Sequence, residues 1–138
     1  MANIAGFVDH GSREPTCTGC AGLTVDLGAG VLKLRLIEDF DAARTAWGGF
    51  EERAVAMPFQ SHAWLSAWVK ANRNNSALHP LVVFGYEDGR LAIILPLAVE
   101  RVFGIRRLVW LGQQFSDYNA PLVDPSLLGK LTAKDASM

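Results

Sequence analysis

The side chains that could do chemistry in this 138-residue chain are few and widely spaced. His10, His62 and His79 each stand alone, so no spacing joins an imidazole to a serine or cysteine nucleophile and a carboxylate. Cys17 and Cys20 form a single C-x-x-C, "CTGC", with His10 upstream. A structural zinc site takes four ligands, and no second pair follows. A redox pair belongs at the start of a helix after a buried strand, whereas these cysteines lie among Gly19, Gly22, Gly28 and Gly30. They read as two plain thiols. A nucleotide or coenzyme A pyrophosphate is held by backbone amides in a glycine-rich turn leading into a helix. After Gly112 only Gly129 remains, so no such cradle is visible in the chain. Arg101, Arg106 and Arg107 could meet an anion, but a cluster of this kind is ordinarily a solvated turn.

The most concentrated polar group is Ser116, Asp117, Tyr118 and Asn119, inside "LGQQFSDYNAPLVDP" and between two apolar runs. Two readings stay open. In the first it is an ordered turn, because short Asp and Asn side chains bond to nearby backbone amides and Tyr118 buries its ring while its hydroxyl stays at a polar rim. In the second, Asp117, Tyr118 and Asn119 bind substrate along one wall of a cleft at the strand ends, where loops on a rigid sheet often carry function. Neither reading assigns a catalytic residue or a metal.

Positioning such groups requires a core, and the composition supplies one. Half of the residues are apolar, charged residues make up 20% and the net charge is −1, which excludes the signature of disorder and gives no electrostatic reason to expect nucleic acid. The longest apolar stretch, 91–99, is interrupted by Pro96 and far shorter than the ~20 residues of a membrane span. The opening "MANIAGFVDHGSREP" has no basic region followed by an apolar segment, so the chain reads as cytoplasmic.

Residues 1–30 hold six of the thirteen glycines without hydrophobic periodicity, and are expected to form a poorly ordered leader. From residue 31 "VLKLRLI" alternates as a half-buried strand. Asp39 or Asp41 can cap a helix with Phe40, Ala43, Trp47, Phe50 and Ala54 on one face, weakened or kinked at Gly48 and Gly49. Ser61 can cap a second helix whose stripe is Trp64, Leu65, Trp68 and Val69. "PLVVFGYEDGRLAIILPLAVER" is a hairpin turning at Asp88-Gly89, with a bulge or an edge position expected at Pro96. Further strands follow at 108–111 and 121–123, and a helix starting at Asp124-Pro125-Ser126 should soon dissolve. The fold class is therefore α/β in the α+β sense, a mostly antiparallel sheet with two helices after the first strand.

In that order "FQSHAWLSAW", "PLVVFGYEDGRLAIILPLAVER" and "RLVWLGQQFSDYNAPLV" resemble the N-terminal half of the CelD-like acetyltransferases, a GNAT superfamily branch linked by name to cellulose biosynthesis. The resemblance covers about residues 34–123 and implies a partial GNAT-like domain over 31–138, truncated after about 124. It also implies an N-acetyltransferase whose complete form moves an acyl group from acetyl-CoA to an amine. The donor would be held by a later amide-rich loop, so this chain alone would carry no cofactor and no activity. "SDYNAPL" would form a substrate-side wall. An interrupted sheet should leave an unpaired edge near 108–111 or 121–123, favouring self-association. A non-enzymatic protein-binding domain and a truncated product are the alternatives.

Overall fold

The computed structural model describes residues 22–28 and 30–135. Six strands form one antiparallel sheet: β1 (Leu23–Asp26), β2 (Val31–Ile37), β3 (Leu78–Glu87), β4 (Arg90–Val102), β5 (Ile105–Trp110) and β6 (Leu122–Val123). Three helices accompany them, α1 (Arg44–Glu51), α2 (His62–Ala71) and α3 (Pro125–Asp135). The first five strands lie side by side in chain order. β4 is long enough to serve two neighbours on its outer side, β5 along Leu97–Val102 and β6 at Ile93–Ile94. The antiparallel α+β expectation agrees with this architecture. Two details differ: a strand precedes the alternating "VLKLRLI", and the helix expected from Asp124-Pro125-Ser126 runs on to Asp135 instead of dissolving.

That additional strand, β1, corrects the expected leader over 23–26. Leu23 to Asp26 pair with Leu34 to Val31 of β2, and Gly28 supplies the positive φ of 71° that the connecting turn requires. The remainder of that expectation, with His10, Cys17 and Cys20, lies outside the described residues.

The β3–β4 hairpin closes where "EDGR" places it. Asp88 and Gly89 both adopt positive φ, 50° and 78°, and such left-handed pairs match the twist of the flanking strands. The expected bulge falls elsewhere. Gly85 pairs with Ile93 and Tyr86 with Leu91, so the extra residue is Ala92, while Val82 faces Pro96 in unbroken register. The Pro96 carbonyl accepts from the Leu111 amide at 2.9 Å. A strand residue directs its N–H and C=O to the same side, so the missing Pro96 donor faces the step between β5 and β6 rather than β3. The proline is tolerated there because no strand continues across that step.

Helices α1 and α2 cover one face of the sheet. Trp47, Phe50, Leu65, Val82, Phe84 and Ile94 form the centre of this core. Asp39 begins the unit, its Oδ1 accepting from the amides of Asp41 and Ala42 at 3.0 and 3.2 Å. Regular α1 starts only at Arg44 and then runs through Gly48 and Gly49 without interruption. Each glycine costs about 1 kcal/mol relative to Ala. Complete burial of Trp47 and Phe50, at 0% and 1% exposure, outweighs that cost. The expected kink at Gly48 and Gly49 is absent for this reason.

Ser61 caps α2 as the sequence predicts, its Oγ accepting from the Trp64 amide at 3.2 Å. Only part of the predicted stripe reaches the core. Leu65 is buried and Trp68 and Val69 pack against it, but half-buried Trp64 lies beside Phe59 with ring centroids 6.1 Å apart. On the opposite face α3 closes a second cluster of Leu32, Ala92, Val123 and Leu127. Leu127 is 1% exposed, and this anchor explains why α3 persists to Asp135 where its polar sequence suggests early fraying.

Candidate functional site

Asp117, Tyr118 and Asn119 occupy the exposed loop between β5 and β6. Ser116 organises it: its Oγ donates to the Tyr118 carbonyl at 2.7 Å and accepts from the Tyr118 amide at 3.3 Å. The Tyr118 ring does not bury itself as expected and stays 55% exposed, because this local turn holds the backbone without needing the ring. Tyr118 and Asn119 line a cavity of about 10 Å³ with Phe59, Gln60 and Trp110, while Asp117 lies outside it. This space accommodates about one water molecule. The three predicted residues thus share a loop, and two of them share a niche.

Gln60 fixes the base of that loop and was not singled out by sequence. It is 4% exposed, its Nε2 donates to the carbonyls of Ala120 and Pro121 at 2.5 and 3.3 Å, and its Oε1 accepts from the Met57 amide at 2.5 Å. Its carbonyl in turn accepts from Trp47 Nε1 at 3.2 Å. The only sequence signal was position, immediately before the Ser61 cap.

The start of α3 is closed by its own chain. Asp124 Oδ1 accepts from the Ser126 amide at 2.9 Å and from Ser126 Oγ at 2.6 Å, and Oδ2 pairs with the Arg53 guanidinium. Arg53 also donates to the Leu91 carbonyl at 2.9 Å and lies over the Phe50 ring. Burial pushes the Asp124 carboxyl upward, but the Ser126 hydrogen bonds and the Arg53 charge together hold it below the ordinary carboxylate value.

A far roomier cleft, about 480 Å³, runs between α1 and α2 on the surface away from the sheet. Asp41, Arg44, Glu51, His62, Ser66 and Lys70 line it around small Gly48, Ala63 and Ala67. His62 is 7% exposed. Its ring stacks on Phe40 at 4.7 Å and meets the Trp47 ring edge-on, and its Nε2 lies 3.2 Å from the Phe40 carbonyl. The Glu51 carboxylate accepts the His62 amide and adds a second cap to α2. His79 is exposed on β3. Arg101, Arg106 and Arg107 are exposed at the second hairpin, where Arg107 pairs with Glu100 at 2.8 Å.

These observations define an α+β protein with a six-stranded antiparallel sheet and three helices among the described residues. None of the helices is long and apolar enough to cross a membrane. Comparison with known proteins finds no matching family model, no significantly similar curated protein and no significantly similar solved structure.

Proposed function

We propose that this chain is the N-terminal module of a CelD-like, GNAT-type N-acetyltransferase, and that it binds no acyl donor by itself. The observation that carries the reading is the order of elements: β2, two helices, the β3–β4 hairpin, β5, then short β6 beside β4 running directly into α3. Together with the three sequence segments quoted above, this order supports the acyltransferase reading over an unrelated binding domain. In the complete protein an amine nitrogen would attack the thioester carbonyl of acetyl-CoA, the C–S bond breaking as the amide forms and coenzyme A leaving as the thiol with the amine's proton, while Asp117, Tyr118 and Asn119 form an outer substrate wall. Acyl transfer depends on holding both reactants in near-attack geometry with donors aimed at the oxyanion, so the donor must first be bound.

The helix terminus that would otherwise attract a pyrophosphate is filled by Asp124. Its carboxylate already takes the Ser126 amide and hydroxyl, and a second anion would meet its charge. The donor is therefore held by other sequence in the complete protein. Calorimetry of this chain with acetyl-CoA should detect no binding tighter than about 1 mM, worth only ~4 kcal/mol. Micromolar binding abolished by changing Asp117, Tyr118 and Asn119 to alanine would overturn the reading and assign the loop to a complete site.

The module also associates with a second copy through the outer edge of β5. Ile105 and Leu108, 70% and 61% exposed, supply apolar side chains on a strand edge that no other strand pairs among the described residues.

A further inference from the structure

The tip of the β4–β5 hairpin carries two local costs that its surroundings do not offset. β4 outruns β3 there: Glu100 pairs with Leu78, the first residue of β3, while Arg101 and Val102 continue opposite Arg106 and Ile105 of β5. Phe103 leads the turn at φ 49° and is 100% exposed, so no neighbour covers its strained residue, and Ile105 beside it is 70% exposed. Behind this apolar tip Arg101 stands directly opposite Arg106. Opposite residues of an antiparallel pair share a face with Cβ atoms about 5 Å apart, where like charges repel. Neither guanidinium has an ion pair among the described residues, whereas Arg107 on the next rung is matched by Glu100 at 2.8 Å.

Backbone strain and like-charge crowding that the fold does not compensate point to a partner. We infer that this hairpin tip docks the protein on an anionic lipid surface, with Phe103 and Ile105 entering the acyl boundary and Arg101 and Arg106 meeting lipid phosphates. Two strand rises separate Arg101 from Phe103, roughly 7 Å. That matches the ~5–10 Å by which interfacial segments sink their apolar groups, so the guanidinium pair stays at the headgroups while the ring lies below them. The charge of the exposed pair is complementary to such a surface. Aliphatic Ile105 beside the aromatic tip suits acyl chains, whereas single-stranded nucleic acid is held by stacking on successive aromatic rings. This docking needs no membrane span and does not depend on acyl transfer, so either proposal can fail alone.

Co-sedimentation of the full chain with phosphatidylcholine vesicles, with and without about 30% phosphatidylserine, provides the test. The anionic vesicles should bind about tenfold more tightly than the neutral ones, and added salt should weaken that binding by screening the arginines. Phe103→Asn should weaken it about tenfold without lowering the thermal midpoint, because asparagine suits a positive φ. Replacing both arginines, Arg101→Gln with Arg106→Gln, should abolish the preference for anionic vesicles, and it relieves a repulsion rather than breaking a contact. A single-stranded poly-thymidine oligonucleotide serves as the competing polyanion. No binding to anionic vesicles, equal binding to both vesicle types, undiminished binding by Phe103→Asn, or binding to the oligonucleotide alone would overturn the inference.

Discussion

Asp124 shows how one side chain can couple three elements. It caps α3 through Ser126, pairs with Arg53 just beyond α1 and, through that arginine, touches the carbonyl of Leu91 at the start of β4. Its folded-state pKa is depressed, so the native state favours the ionised form. The resulting stabilisation is fully present above the unfolded value, about 4, and is lost as pH falls through the lower folded value. Urea midpoints should therefore decline below about pH 4, and Asp124→Asn should flatten that decline. The amide can still accept from the Ser126 amide but cannot pair with a guanidinium. At pH 7 the variant should lose about 1 kcal/mol, a modest figure because the pair remains partly exposed. Parallel acid limbs in the two proteins would show that Asp124 contributes nothing to this dependence.

The two hairpins close by the same geometry with unequal local fitness. The β3–β4 turn uses Asp88 and Gly89, both suited to positive φ, whereas the β4–β5 turn places Phe103 at φ 49° before Gly104. A phenylalanine in the left-handed region is strained, and this one is 100% exposed, so no packing offsets the strain. Phe103→Asn should stabilise the fold by about 0.5–1 kcal/mol, seen as a raised thermal midpoint. An unchanged or lower midpoint would mean that the turn tolerates the aromatic residue without cost. The difference also explains what the sequence disclosed: "DG" announces its turn, while "FG" marks one only through the glycine and the strands around it.

At the scale of the molecule, the sheet protects its edges unequally. β6 lies beside β4, and its outer side is occupied by Val55, whose amide donates to the Val123 carbonyl at 2.7 Å while its carbonyl accepts from Val123 at 3.2 Å. This bridge corrects the expectation of an unpaired edge at 121–123. Among the described residues β5 has only β4 as a strand neighbour, and its exposed Ile105 and Leu108 make it the edge proposed for self-association. Arg101 and Arg106 oppose close approach there through like charge, whereas Arg107 is paired with Glu100. Association should therefore strengthen with added salt, which screens that repulsion. Sedimentation velocity should show concentration-dependent association, suppressed by Leu108→Lys without loss of fold. A monomer at every concentration and salt level would remove β5 as an interface.

The sequence by itself determined the elements whose causes are local. Alternation in "VLKLRLI", the Asp88-Gly89 turn, the Ser61 cap and the apolar spacing of Trp47 and Phe50 each depend on neighbours a few residues away, and each was legible. Tertiary structure decided the rest because the determining partners are distant in sequence. β1 exists through pairing with β2, α3 persists because Leu127 reaches a core containing Leu32 and Ala92, and Pro96 is accommodated where β4 changes partners. The Ser116–Asn119 loop was recognisable as a polar turn, but its base is set by Gln60, about sixty residues upstream. The α1–α2 cleft forms only when the helices pack, since no spacing in the text brings Glu51 to the amide of His62.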